Sequence, residues 1–210
     1  VHFHPNQYKP LLKILTEPQP RVLVADEVGV GKTIEAGIVL KELRAREWVS
    51  PRDFVVVVCP SGLTGKWQSD MSYFFDERAT IADATDLQRL ARDLGSGLGP
   101  QLGDLFMVLS LQTARQERNR ALLEQLVASE GFRLGLLVVD EVHHCKTVGT
   151  DNRRVVSSLG SVAEHVLFLS ATPLSLGSED FYNLLRLLVP TEFGDYGRVA
   201  GMLRAVEPLN

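Results

Sequence analysis

The sequence predicts an α/β protein built on a doubly wound, mainly parallel sheet with helices on both faces. Three observations lead there. Strand-like apolar runs alternate with helical patterns along the chain. The strongest runs, such as Phe54-Val55-Val56-Val57-Val58-Cys59, are apolar at every position, as strands covered on two faces must be. Each polar motif sits just after such a run, at the carboxyl end where ligands bind in sheets of this kind.

Taken in order, His2 to Leu15 opens on His-Pro-Asn-Gln and continues with Leu11, Leu12 and Leu15 at helical spacing. Pro18 and Pro20 end that helix and deliver the chain to a strand at Arg21 to Ala25. A Gly-containing turn follows, then a helix over Ile34 to Arg46. The second strand, Phe54 to Cys59, is closed by Pro60, and Leu63, Trp67 and Met71 mark the helix after it. Asp83 to Gln101, with its Gly95, Gly97, Gly99 and Pro100, reads as a surface excursion holding a short helical pattern. Leu105 to Leu109 is a third strand, followed by one helix over Leu111 to Ser129. Leu134 to Val139 and Val166 to Leu169 are the fourth and fifth strands, and Asp180 to Leu188 is a last amphipathic helix before Pro190.

Composition bounds the function classes. At 210 residues the chain can bury one sizeable core, and one domain is expected. Hydrophobic content of 45% and charged content of 23% are globular averages, which excludes disorder as the default. The formal net charge of −4 gives nucleic-acid binding no general support, so such a reading rests on motifs. No apolar run approaches membrane-spanning length and no signal segment opens the chain, so no membrane partner is expected. Cys59 and Cys145 lie beside apolar strands without metal-ligand spacing and read as reduced thiols of a cytoplasmic protein.

Two motifs carry chemistry. Asp26-Glu27-Val28-Gly29-Val30-Gly31-Lys32-Thr33 lies between a strand and a helix, the context of a phosphate-binding loop. Loop N–H groups and the helix dipole would face the β-phosphate, Lys32 would reach the β- and γ-phosphates, and the Thr33 hydroxyl would hold Mg²⁺. Asp26 stands where the general pattern has its first Gly, which is the helicase-like variant of the loop. Asp140-Glu141 ends the fourth strand: Asp140 is placed to bind Mg²⁺ and Glu141 to orient and deprotonate the attacking water. Gln7, ahead of the loop, can pair with both edges of adenine; a polar residue in the first turn of a surface helix is its other reading.

Four stretches in order carry a family resemblance: Asp26 to Thr33, Cys59 to Trp67, Asp140-Glu141-Val142-His143-His144, and Ser170-Ala171-Thr172-Pro173-Leu174. They look like helicase motifs I, Ia, II and III. With Thr33-Ile34-Glu35-Ala36-Gly37 and Glu179-Asp180-Phe181-Tyr182-Asn183-Leu184-Leu185, the chain resembles the first RecA-like lobe of Swi/Snf-type ATPases of helicase superfamily two. Within these it is nearest the bacterial branch with the RNA-polymerase-recycling ATPase and phage-defence translocases. The resemblance implies a DNA-dependent ATPase using ATP and Mg²⁺, moving on duplex DNA through backbone contacts, with RNA polymerase or another complex as cargo. An RNA helicase lobe and a non-catalytic nucleotide-binding scaffold are the alternatives.

By the same resemblance Gln7 reads adenine, and Asp26, Glu27, Val28, Gly29, Val30, Gly31, Lys32 and Thr33 hold the nucleotide. Glu141, Lys32 and His143 form the catalytic set, with Thr33 and Asp140 on the metal. Ser170, Ala171 and Thr172 couple that set to movement, while Ser61, Gly62, Lys66, Ser110 and Thr113 track a nucleic-acid strand. Val142 replaces the usual small residue, a departure expected to be tolerated. Arg153 and Arg154 are expected to form a solvated helix start. The arginines that reach the γ-phosphate belong in this family to a second RecA-like lobe, so the 210 residues are expected to be one lobe of a longer protein, weak or inactive alone.

Overall fold

The computed structural model describes residues 5–16, 20–25, 31–171 and 178–190. Among them six strands form one sheet: β1 (Arg21–Val24), β2 (Phe54–Cys59), β3 (Thr80–Ala82), β4 (Phe106–Ser110), β5 (Leu134–Val139) and β6 (Ala163–Leu169). Their order is β1-β6-β5-β2-β4-β3, and every neighbouring pair is parallel. The expected parallel, doubly wound α/β architecture is what forms.

Alternation along the central strands explains why they are apolar throughout. Phe54, Val56 and Val58 of β2 join a buried cluster with Leu137 and Val139 of β5 on one face. Val55, Val57 and Cys59 join Leu136 and Val138 in a second cluster on the other. The first face is covered by α4 (Ala84–Gly95), α6 (Glu117–Val127), α7 (Asp151–Val162) and α8 (Ser178–Leu188). The second is covered by α1 (Lys9–Thr16), α2 (Lys32–Ala45) and α3 (Thr64–Phe75). Both faces being dry, a polar residue anywhere in β2 or β5 would be buried without a partner.

Three readings of the sequence are corrected. The stretch Asp83 to Gln101, expected to be a surface excursion with a short helical pattern, holds α4, which buries Leu87, Leu90 and Ala91 against the core, and just before it the unmarked β3 pairs with β4 at the sheet edge. A capping box starts that helix, with the Asp83 carboxylate accepting from the N–H groups of Thr85 and Asp86, and the Asp86 carboxylate accepting from the Asp83 N–H. The helix expected over Leu111 to Ser129 is two, α5 (Leu111–Ala114) and α6. Asn119, 1% exposed, donates its amide to the Thr113 carbonyl at 2.8 Å and so satisfies the end of α5 that the break exposes. Arg153 is not a solvated residue: its guanidinium donates to the carbonyls of Cys145, Lys146 and Asn183, tying α7 to α8. The helix start itself is as expected, with the Thr150 hydroxyl accepting from the Arg153 N–H.

Candidate active site

Sheet order assembles the site. β6 lies between β1 and β5, so the residue following β6 sits between the one that leads into the phosphate loop and the one that ends in Asp140. The Ser170 N–H donates to the Val24 carbonyl at 3.0 Å, and the Asp140 N–H donates to the Val58 carbonyl at 2.8 Å. The polar residues at these strand ends are therefore held on the ladder itself and not on free loops.

Gly31 begins α2 with φ of 94°, a left-handed conformation that a side chain would strain. Space closes the position as well, since a Cβ there would lie 2.5 Å from the Gln7 amide nitrogen. Gln7 is buried and packs directly against the end of the phosphate loop, so the residue read as adenine-binding is adjacent to the residues read as phosphate-binding. Lys32 is the first residue of α2 and Thr33 is buried in its first turn. The dipole of this 14-residue helix favours an anion at that end. Asp26, Glu27, Val28, Gly29, Val30 and Thr172 lie outside the described residues.

Asp140 is buried at the end of β5, and its two oxygens have separate donors. Oδ1 accepts from the Glu141 N–H at 2.9 Å, and Oδ2 accepts from the Trp67 indole N–H at 2.9 Å. Burial pushes its carboxyl above the usual carboxylate range, against the Trp67 hydrogen bond and the nearby Lys32 charge that pull it down. A buried carboxylate whose ionised form is disfavoured gains from a cation brought beside it. That fits Asp140 to a divalent metal.

Glu141 occupies the left-handed region with φ of 50°, which costs a non-glycine residue about 1–2 kcal/mol. Its Oε2 lies 3.2 Å from His143 Nδ1, yet the alignment makes no hydrogen bond, and both atoms are buried without a partner. Burial and the neighbouring His144, whose ring lies tilted with its centroid 4.2 Å away, hold the His143 imidazole below its ordinary pKa and so neutral at neutral pH. Val142 is fully buried in the core, so a larger residue is accommodated where the family has a small one. Ser170 is fully buried and Ala171 half-buried beside it.

The residues read as nucleic-acid contacts divide. Ser61 and Gly62 are exposed in a 3-10 turn ahead of α3, and the Ser61 N–H donates to the Gln112 side chain at 2.9 Å. Gln112, which the sequence did not mark, thereby joins that turn to α5. Lys66 is exposed and pairs with Asp70 at 3.3 Å. The Ser110 hydroxyl accepts from the Thr113 N–H and lies 2.8 Å from the Thr113 hydroxyl, which is the arrangement of a helix cap. Cys59 and Cys145 are buried free thiols, each pushed up to about 12 by burial, and are chemically inert.

A single parallel sheet with the start of α2, the Asp140-Glu141 pair and Ser170 at its carboxyl edge defines the class: a RecA-like α/β lobe. The particular family follows from comparison. Residues 11–199 match the SNF2-related domain, and the chain belongs to that family. It is 35% identical over 196 residues to RNA polymerase-associated protein RapA of Yersinia enterocolitica, an alignment covering 91% of this chain and 19% of that protein. The chain thus spans about a fifth of the length of that relative. Its fold matches the Sulfolobus solfataricus SWI2/SNF2 ATPase core in complex with dsDNA, with a TM-score of 0.69 at 17% identity, over 96% of this chain and 38% of that one.

Proposed function

We propose that this chain is the ATP-binding motor lobe of an SNF2-type, DNA-dependent ATPase that couples hydrolysis to movement on duplex DNA. The observation that supports the reading is that the Lys32 charge acts on the Asp140 carboxylate, with only β6 between the strands that lead to them. Gln7 contacts the adenine, and the loop with Lys32 holds the phosphates. Thr33 and Asp140 would hold Mg²⁺, which supplies charge neutralisation to the phosphates when bound. Glu141 orients a water and takes its proton. Neutral His143 lies beside it and links it to the strand end carrying Ser170, Ala171 and Thr172.

Duplex DNA is the proposed track, held by its backbone at Ser61, Gly62 and Lys66, with Ser110 and Thr113 shaping the loop beside them. A Cβ at Gly62 or Gly65 would meet nothing within 4 Å, so the fold does not itself require glycine there. Close approach of a phosphate backbone gives glycine a reason. RNA polymerase is the proposed protein partner by likeness to a relative named for that association. A second RecA-like lobe completes the machine, working in the cytoplasm where ATP is at hand. No described helix is long and apolar enough to cross a membrane.

The test is phosphate release by the two-lobe protein with duplex DNA, and with RNA of the same sequence. Glu141→Gln keeps the shape of the side chain but cannot take the proton, so it is expected to bind ATP normally and turn over about 10²–10⁴-fold more slowly. Stimulation by RNA alone would reassign the lobe to an RNA helicase. A mutant retaining wild-type turnover would remove Glu141 from its role.

A further inference from the structure

Trp67 is 1% exposed, and its ring is packed with the apolar cluster on the α1–α3 face. An indole has a single N–H donor and no acceptor, and a buried one needs a partner. That partner is Asp140 Oδ2, 73 residues away in sequence, across the join between α3 and β5. With Oδ1 taken by the Glu141 N–H, the carboxylate carries one donor on each oxygen. A terminal carboxyl torsion is otherwise broad, and two donors on opposite oxygens fix its plane. Each oxygen keeps a lone pair free for a cation or its water. The residue before Trp67 is the exposed Lys66, and the Ser61–Leu63 turn precedes the same helix.

We propose that Trp67 is a positioning residue for the cation at Asp140: its indole N–H holds the carboxylate in the metal-binding orientation, from the helix whose first turns face nucleic acid. The inference rests on the reading of Asp140 as a magnesium-holding group. It assigns to the Trp67 N–H an effect on the metal that filling the core with an aromatic ring does not have. Loss of the N–H leaves Oδ2 without its donor and lets the plane turn, while Gln7, Lys32 and the phosphate loop are untouched. Magnesium affinity should therefore fall and metal-free nucleotide affinity should not.

The experiment is calorimetric titration of ADP into the 210-residue chain, in EDTA and across a magnesium series. It compares wild type, Trp67→Phe and a variant with benzothienylalanine at position 67, which keeps the indole shape and lacks the N–H. The expected result is ADP affinity in EDTA equal within about twofold for all three, with the magnesium concentration for half-maximal effect raised about tenfold or more in both variants, the scale of one hydrogen bond to a charged group. Should Trp67→Phe not fold, the isosteric variant carries the test. Unchanged magnesium dependence in the isostere overturns the proposal, as does an equal loss of ADP affinity with and without metal, or loss of the fold in the isostere itself. ADP binding by wild type without any magnesium dependence would sink the reading of Asp140, which is a distinguishable failure.

Discussion

Single residues at this site are governed by charge brought out of water. Lys32→Ala removes the cation proposed to face the phosphates, and a hydrogen bond to a charged group is worth about 1.5–3 kcal/mol, so nucleotide affinity is expected to fall roughly ten- to hundredfold with the melting point unchanged. Calorimetry showing equal affinity would remove Lys32 from the site. His165 gives a pH dependence of opposite character, unconnected with catalysis. Its ring is buried, with Nδ1 2.9 Å from the Gly135 carbonyl and the ring stacked at 6.2 Å on Trp48. Burial holds its pKa below 6.5, against the Gly135 hydrogen bond and the Glu164 charge that raise it. The unfolded chain therefore binds the proton more readily than the folded one. Stability is lost as pH falls through about 6.5 toward the lower folded value and is fully present above it. Urea midpoints measured between pH 7.5 and 5.5 should fall, and His165→Gln should flatten the slope; an equal slope in the mutant would place the proton uptake elsewhere.

At the scale of elements, the join between α2 and α3 is set by a glycine. A Cβ at Gly37 would meet the Phe75 ring at 2.1 Å, so the helix carrying Lys32 and Thr33 lies close against the helix carrying Trp67 only because position 37 has no side chain. Gly37→Ala gains about 1 kcal/mol in helix propensity, while overpacking costs about 1–3 kcal/mol and displaces a buried ring. Net destabilisation is expected, read as a lower urea midpoint; a raised midpoint would mean that Phe75 moves aside freely. The spelling Thr33-Ile34-Glu35-Ala36-Gly37 was legible as a family signature, but its physical reason was not. Periodicity within α2 contains no trace of a ring on another helix. The same limit hid β3, too short to make an apolar run, and the break between α5 and α6, which depends on Asn119 reaching back to Thr113.

At the scale of the molecule, Arg153, which follows the carboxylate pair on the same lobe, is occupied: its guanidinium donates to the carbonyls of Cys145, Lys146 and Asn183. The 210 residues alone are expected to hydrolyse ATP slowly and to respond little to duplex DNA. An arginine finger is worth roughly 10³–10⁵ in rate in phosphate-loop enzymes, and the family places it on a second lobe that closes over the nucleotide. Steady-state phosphate release by this lobe, measured beside the two-lobe protein, checks it. DNA-stimulated turnover matching the two-lobe protein would show the site to be complete within one lobe.

The sequence by itself determined the parallel α/β class, because continuous apolar strands have no other use than burial on both faces. It also determined that Gly31-Lys32-Thr33 and Asp140-Glu141 stand at the carboxyl ends of strands, because strand ends are local properties of the chain. Tertiary structure alone decided how those ends meet. Inserting β6 between β1 and β5 brings Ser170 to the ladder beside Val24, and packing α3 on the sheet carries the Trp67 N–H to Asp140. A hydrogen bond across 73 residues is fixed by the packing of whole elements, and no pattern along the chain encodes it.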